Sequence, residues 1–175
     1  MPHYALTAVG PDQPGILAAL TEPLVSLHCN LADTSATILR GHFTLMMVVG
    51  IPDGTDLETV LSGVRARCDA LDIRIDARPL RQLSGPAPVS THVLSLYGAD
   101  KPGIVFKVAE LLSKRAVNML DLDTRLVGRA GRPIYAMLLE VQLPEGLPEA
   151  ELRADLDGLS RDMHVDVSLR PIEER

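Results

Sequence analysis

The spacing of hydrophobic residues changes along the chain, and each change marks a predicted element. The segment HYALTAV (3–9) is short, mainly apolar and bounded by Gly10-Pro11, which predicts a buried strand. From Pro14 onward, apolar residues recur at helical spacing and predict a helix; they are Ile16, Leu17, Leu20, Leu24 and Leu27. Pro23 lies inside this helix and is expected to kink or shorten it, because proline lacks an N–H and crowds the preceding turn.

The segments that follow predict a hairpin and a second helix. Residues 30–39 and 42–51 predict strands, and the Arg40-Gly41 pair between them predicts a hairpin-like turn. Thr55 and Glu58 have the spacing of a capping box, which predicts a helix beginning near residue 56 and ending near residue 70.

Residues 72–80 alternate between polar and apolar side chains and predict a last, half-buried strand. The resulting order is strand, helix, strand, strand, helix, strand. Such a chain buries its two helices on one face of a four-stranded antiparallel sheet. The predicted fold class is therefore α+β and ferredoxin-like, a fold that says little about function by itself.

The whole pattern occurs twice. At a shift of 88 residues, GPDQPGI (10–16) falls on GADKPGI (98–104), and the match continues without a gap as far as Asp33 and Asp121. The shift then becomes 92, because the second copy has four extra residues around GRAGRP (128–133). A duplication of nearly the full length predicts two homologous domains.

The predicted domains cover residues 1–80 and 91–175. Residues 81–90 (RQLSGPAPVS) are rich in Pro, Ser and Gly and are typical of a short linker. The extra loop of the second copy adds Arg129 and Arg132 to one hairpin. It is either a solvated loop or a contact for an acidic partner, since unmatched loops often carry specificity.

Composition and charge argue against direct nucleic-acid binding. The net charge is −6, and residues 1–81 (nine acids, six bases) and 82–175 (fourteen acids, eleven bases) each carry −3. Binding to the phosphate backbone relies on clustered Lys and Arg, which neither half provides. RNA binding by stacking on a sheet needs aromatic rings, and the chain has three Tyr, two Phe and no Trp.

Cysteine usage and hydropathy indicate a cytoplasmic protein without a metal or another cofactor. Cys29 and Cys68 lie far apart, and no Cys/His spacing typical of a zinc site is present. The first residues show no charged segment followed by a long apolar stretch, so no signal peptide is predicted. No apolar run reaches the length of a membrane span.

The duplicated turn allows two interpretations. Asp12 can cap a helix that begins around Gln13-Pro14, and proline is tolerated in a first turn, so a capped helix start explains the motif. The same atoms could bind a ligand, because the free N–H groups and the dipole of a helix start attract anions. Gly15 would let a carboxylate approach, and the Asp12 carboxylate could receive an ammonium group. Such a pair of groups matches a free amino acid.

Two asparagines join the candidate site. Asn30 and Asn118 open the second strand of each copy, whose start is expected to lie beside the same helix end. Their amides offer both hydrogen-bond donors and acceptors. Asparagine is also a common turn residue that tolerates unusual backbone angles, which is the structural alternative.

The duplicated turn and the two asparagines together resemble the sequence pattern of a known domain family. The pattern D-x-P-G-I after a first strand, an apolar helix and then Asn at the second strand resembles the ACT domain. Two such domains with nothing appended resemble the glycine cleavage system transcriptional repressor family. The resemblance implies a regulatory module that binds amino acids, usually at interfaces between ACT domains. It also implies action through a regulatory partner protein rather than on DNA, with glycine or serine as the ligand. Separately, the apolar strand FTLMMVVGI (43–51) and an exposed sheet edge that pairing would cover favour a homo-oligomer, a dimer.

Carried over by position, the resemblance implies one ligand site in each copy. The first comprises Asp12, Gln13, Pro14, Gly15 and Asn30; the second comprises Asp100, Lys101, Pro102, Gly103 and Asn118. The copies differ because cationic Lys101 replaces Gln13 and Leu111 replaces Pro23. The two sites therefore need not bind the same ligand.

Two other functions remain as alternatives to the non-enzymatic sensor. The first is a ligand-free scaffold, in which the duplicated domains only support an assembly. The second is a small enzyme, for which His28 and Cys29 are the candidate pair. Catalysis needs converging side chains, whereas neighbours on an extended strand point to opposite faces. Cys29 is thus expected to be an ordinary core or interface residue.

Overall fold

A computed structural model describes residues 1–80, 87–128 and 133–172 of the 175-residue chain. The chain divides into two compact units, Met1–Ser84 and Gly85–Arg175. Each unit holds one four-stranded sheet with antiparallel pairing throughout. The predicted pair of βαββαβ folds is confirmed. The predicted linker at 81–90 lies partly outside the described residues and stays a prediction.

The first unit places its central strand between two antiparallel neighbours. Its elements are β1 (His3–Pro11), α1 (Ile16–Ser26), β2 (Asn30–Leu39), β3 (His42–Gly50), α2 (Leu57–Cys68), a 3₁₀ turn (Asp69–Leu71) and β4 (Arg74–Pro79). The strand order is β2-β3-β1-β4, so β2 and β4 are the edges. Alternate residues of β1, Leu6 and Ala8, are buried against both helices, which contribute Leu20 and Val64 to the core. Both helices therefore cover the same face of the sheet.

The second unit repeats this arrangement. Its elements are β5 (His92–Ala99), α3 (Ile104–Lys114), β6 (Asn118–Val127), β7 (Ile134–Gln142), α4 (Glu149–Met163) and β8 (Val165–Pro171). The strand order is β6-β7-β5-β8. Leu94 and Leu96 of β5 pack with Val108 of α3 and Leu156 of α4 in a separate core. The duplication seen in the sequence is thus a duplication of topology.

The predicted hairpin at Arg40-Gly41 is confirmed. Leu39 ends β2, His42 begins β3, and the two residues pair across the ladder. Arg40 and Gly41 both have positive φ, 49° and 80°, as the favoured two-residue hairpin turns require. The matching loop of the second unit, which contains Arg129 and Arg132, lies outside the described residues, so its role stays a prediction.

The predicted capping box of α2 is wrong, and the predicted shortening of α1 does not occur. The side chain that caps α2 is Asp56, whose Oδ1 accepts a 2.8 Å hydrogen bond from the Thr59 backbone N–H, so Thr55 and Glu58 do not form the capping box. Pro23 does not shorten α1, since the helix continues to Ser26 and matches the eleven residues of α3. Pro23 is buried, and its ring supplies packing surface where Leu111 stands in the second unit.

Candidate functional site

The turn between β1 and α1 differs from the predicted one. The helix begins at Ile16, and its N-cap is Gly15, with φ 94° and ψ −8°. The Gly15 carbonyl accepts the first helical hydrogen bond, from the Ala19 N–H at 2.9 Å. The prediction that Asp12 caps a helix beginning at Gln13-Pro14 is therefore wrong.

The second unit builds the same turn. Gly103 is the N-cap of α3, with φ 89° and ψ 1°, and its carbonyl accepts from the Lys107 N–H at 3.0 Å. Within the described residues, no side chain caps either helix. The first-turn N–H groups of both helices therefore keep the partial positive charge of an uncapped helix end.

Open space lies over both helix starts. A Cβ atom built on Gly15 or Gly103 meets nothing within 4 Å. Glycine is needed at these positions because of the positive φ, which costs other residues energy, and not because of crowding. A small anionic group has room to reach the N–H groups of this turn.

Asp12 is positioned by the neighbouring hairpin. Its backbone N–H donates a 2.9 Å hydrogen bond to the Gly41 carbonyl, just beyond the last residue pair of β1 and β3, Pro11 with His42. Asp12, Pro14 and Gly15 are all exposed. Asp100, Pro102 and Gly103 are exposed in the second unit as well. Both carboxylates therefore lie in solvent, each three residues before the N-cap glycine of its unit.

Gln13 and Lys101 are engaged in structural hydrogen bonds. Gln13 Nε2 donates to the Leu71 carbonyl at 2.8 Å, and Lys101 Nζ donates to the Met163 carbonyl at 3.0 Å. Leu71 and Met163 are matched positions of the repeat, at the end of the second helical segment of each unit. Both side chains tie the turn to that segment. No sequence signal identified these acceptors, because they are backbone carbonyls distant in the chain.

The first glycine of each motif has a structural explanation. A Cβ on Gly10 would lie 2.5 Å from the Asp72 carbonyl oxygen and 2.6 Å from Ile73 Cδ1. A Cβ on Gly98 would lie 2.6 Å from Val165 Cγ1. The chain approaches closely at or just before the start of the last strand and excludes a side chain here. Part of the duplicated GPDQPGI motif therefore serves packing alone.

The asparagines lie at the opposite end of each sheet from the turn. Asn30 pairs with Gly50, which pairs in turn with His3 at the start of β1. Because β1 spans nine residues, its two ends lie roughly 26 Å apart. Asn118 likewise pairs with Gln142, beside the start of β5. The expectation that Asn30 and Asn118 lie beside the helix start of their own unit is wrong.

His28 and Cys29 belong to the ending of α1. His28 has φ 55°, and the backbone N–H groups of His28 and Cys29 donate to the carbonyls of Val25 and Leu24 at 3.0 and 2.9 Å. This pattern satisfies the last carbonyls of a helix. Cys29 packs against the core, and burial raises the pKa of its thiol. A raised pKa leaves less thiolate and disfavours a role as a nucleophile.

Comparison with known sequences agrees with this geometry. The profile of the ACT domain family matches residues 4–78, from β1 to β4. A UPF0237 protein of Listeria innocua is 34% identical over 71 residues, which cover 40% of this chain and 80% of that protein.

The chain belongs to the ACT domain family.

Two longer relatives extend over both ACT units. The glycine cleavage system transcriptional repressor of Escherichia coli is 30% identical over 128 residues, 70% of this chain and 65% of the repressor. Phosphoserine phosphatase SerB2 of Mycobacterium tuberculosis is 27% identical over 177 residues, 94% of this chain and 39% of the phosphatase. The chain therefore spans about two fifths of one curated relative and just under two thirds of the other.

Solved structures share the tandem fold. A protein of unknown function from Galdieria sulphuraria aligns with a TM-score of 0.82 at 22% identity, covering 98% of this chain and 99% of that one. A candidate glycine cleavage system transcriptional repressor aligns with a TM-score of 0.71 at 19% identity, covering 99% and 98%. These matches show that the fold of the two units occurs in experimental structures.

Neither a membrane span nor a metal cluster is found in the described parts of the ACT units. In residues 1–80, 87–128 and 133–172, no helix has the length and hydropathy needed to cross a bilayer. The same residues contain no group of three or more His, Cys, Asp or Glu arranged to hold a metal ion.

Proposed function

We propose that this protein is a non-enzymatic regulator that binds a small amino acid at its β–α turns and thereby alters its association with a partner protein. The observation that carries the proposal is the duplicated, uncapped helix start behind a Pro-Gly turn. Each offers backbone N–H donors for a carboxylate and an exposed Asp three residues before the glycine, Asp12 or Asp100, for an ammonium group. This is the chemistry of a zwitterion.

The position of the asparagines bears on how a complete site would form. A single unit holds Asp12 and Asn30 at opposite ends of its sheet. A site that uses both kinds of residue would have to take them from different units. The proposal therefore places the ligand between ACT units of two copies of the chain, and ligand binding would favour one assembly over another by linkage.

Similarity to the glycine cleavage system repressor supports the regulatory part of the proposal. We extend it to a role in glycine metabolism with glycine or serine as the ligand. The net charge of −6 favours action through a protein rather than directly on nucleic acid. A homodimer is the simplest assembly that would bring additional ACT units together.

A thermal-shift screen against the twenty amino acids tests the proposal. A ligand that binds only the folded state raises the melting temperature, by an amount equivalent to about 2.7 kcal/mol when its concentration is 100 times Kd. We expect one small amino acid to do so. The shift should disappear in Asp12→Asn or Asp100→Asn, which keep the side-chain shape and remove the charge.

Asp33→Asn is the matched control, since Asp33 is an exposed Asp on β2 outside the turn. It should keep the full shift. Absence of a shift for every amino acid at millimolar concentration would refute ligand binding. A shift that survives both Asp12→Asn and Asp100→Asn would place the ligand elsewhere.

A ligand-free scaffold is the second candidate function. The observation in its favour is that Gln13 and Lys101, both proposed ligand residues, are held by hydrogen bonds within their own units. In a scaffold the turn motif would serve packing and helix initiation alone. Assembly with a partner that is unchanged by every amino acid would favour this function over the sensor.

A further inference from the structure

A groove of about 530 Å³ lies between α3 and α4 on the outer surface of the second unit. Its two ends are held by hydrogen bonds, from Lys101 Nζ to the Met163 carbonyl at 3.0 Å and from Arg115 Nε to Asp155 Oδ2 at 2.6 Å. Leu111 and Leu159 supply apolar surface between these ends. The two helices are therefore fixed around an open middle, which we name the α3–α4 groove.

Gly158 lies in the interior of α4 and lines this groove. Glycine weakens a helix interior, so its presence calls for a packing reason. A Cβ on Gly158 would meet nothing within 4 Å, so the unit itself supplies none. In the first unit, a Cβ on the mid-helix Gly63 of α2 would lie in ordinary van der Waals contact with Pro23 Cβ, at 3.5 Å. Gly158 leaves a hollow that nothing in its own unit fills.

An exposed aromatic side chain lies on the same helical layer. Phe106, in the first turn of α3, is 67% exposed and stands one turn before Glu110, which lines the groove. An exposed phenyl ring is a typical anchor of a protein interface. The matched residue of the first unit is Ala18. The first unit has a smaller groove, of about 330 Å³, between α1 and α2, and Ala18 supplies no ring beside it. The second unit combines a larger groove with an exposed ring.

The two sides of the groove differ in charge. The α3 side contributes the cations Lys107, Lys114 and Arg115, with Glu110 among them. The α4 side contributes only the acids Asp155 and Asp162. A surface with one basic side and one acidic side is complementary to a second copy of itself turned by a two-fold axis, because each basic side then faces an acidic side.

We propose that the α3–α4 groove is a self-association surface, on which a second copy of this chain docks with the same groove about a two-fold axis. Phe106 of each copy fills the hollow over Gly158 of the other. Lys107 of each copy faces Asp162 of the other, since Arg115 and Lys114 are paired with Asp155 and Glu110 within their own unit. Phe106 lies in the first turn of α3, next to the proposed ligand turn of the second unit, so self-association is measured without added amino acid and is tested separately from ligand binding.

Sedimentation equilibrium of the full chain tests whether the phenyl ring of Phe106 contributes to self-association. We expect the wild-type chain to be in a monomer–dimer equilibrium and Phe106→Asp to raise the dimer dissociation constant about tenfold or more, as the loss of an aromatic anchor does. Ala18→Asp is the matched control at the same third position of α1, and it should leave the constant unchanged. Asp near a helix start is compatible with folding, which thermal melts of both variants would verify.

Three further single variants and one double variant test the space over Gly158 and the charges. Gly158→Leu fills the hollow from within and should weaken the dimer by a similar factor, while the free space over Gly158 lets the monomer fold. Lys107→Glu and Asp162→Lys should each weaken the dimer, and the double variant should recover it, since the swap restores complementary sides.

Three results would overturn the proposal. One is a wild-type chain that stays monomeric at every concentration tested, which would leave the groove to another occupant. Another is a dimer that Phe106→Asp and Gly158→Leu do not weaken, which would place the interface on a different surface. The third is a double charge swap no better than either single change.

Discussion

The side-chain amide of Gln13 donates a 2.8 Å hydrogen bond to the backbone carbonyl of Leu71, 58 residues away in the chain. It joins the turn before α1 to the 3₁₀ turn after α2. In the second unit, Lys101 makes the equivalent bond to Met163 at 3.0 Å. Two different side chains thus perform one structural task, and the change from Gln to Lys needs no difference in ligand to explain it.

Gln13→Ala should destabilise the first unit by about 1 kcal/mol, the usual net contribution of one hydrogen bond. Gln13→Lys, which copies the second unit, should keep most of that stability. Urea unfolding of the three chains measures the difference. Equal losses in the two variants would contradict the structural role. A loss of amino-acid binding without any loss of stability would instead make Gln13 a ligand residue.

Two glycines of the same motif should respond differently to alanine. Gly15→Ala should cost about 1–2 kcal/mol, because the φ of 94° is strained for any residue with a Cβ although nothing crowds it. Gly10→Ala should cost more, since its Cβ would lie 2.5 Å from the Asp72 carbonyl oxygen and the last strand must move.

Gly15→Asn serves as the control for this comparison, because asparagine tolerates positive φ better than alanine. It should lie between the wild-type chain and Gly15→Ala in unfolding free energy. The reverse order of Gly10→Ala and Gly15→Ala would show that backbone strain outweighs crowding here.

The strands and their order along the chain could be predicted because short apolar runs, the alternation of residues 72–80 and the Arg40-Gly41 turn are local signals. The duplication strengthened each assignment, since a pattern repeated 88 residues later is unlikely to arise by chance. The cap of α2 was assigned to Thr55 because a capping-box spacing fits it. The chain instead used the neighbouring Asp56, an equally good cap one residue later.

The candidate site was less predictable because it depends on where chain ends meet in space. Asn30 follows α1 in sequence, but a helix that runs antiparallel to β1 returns the chain to the sheet end where β1 began. Asn30 pairs with Gly50, and Gly50 pairs with His3, so the start of β2 lies at the same end of the sheet as the start of β1. The hydrogen bond between Gln13 and Leu71 was equally inaccessible, since backbone acceptors carry no sequence signature.

Asp56 should make the unfolding free energy depend on pH in the acidic range. Hydrogen bonds from the backbone N–H and then the hydroxyl of Thr59 hold the pKa of its carboxyl below the usual Asp value. A lowered folded pKa contributes stability that is present above the unfolded pKa and is lost as pH falls through the folded one. Melting temperatures of Asp56→Ala should therefore lie below wild type at neutral pH and converge with it in acid.

Thr55→Ala is the control for the cap, since the helix uses its neighbour, and it should melt like the wild-type chain. Asp56→Asn should retain a neutral cap and lose the acid-side slope. A destabilised Thr55→Ala together with an unaffected Asp56→Ala would restore the capping box that the sequence predicted.

Asn30 tests whether the amino-acid site draws on more than one ACT unit. Asn30 is exposed at the start of an edge strand, so Asn30→Ala should change the unfolding free energy by less than about 0.5 kcal/mol. The affinity of the Asn30→Ala variant for the amino acid found in the thermal screen should nevertheless fall about tenfold or more, because a hydrogen bond to a charged ligand is lost. Calorimetric titration measures this, with Thr37→Ala, farther along the same strand, as the control. Unchanged affinity in Asn30→Ala, combined with loss of binding in Asp12→Asn, would mean that the turn alone forms that site and that β2 takes no part in it.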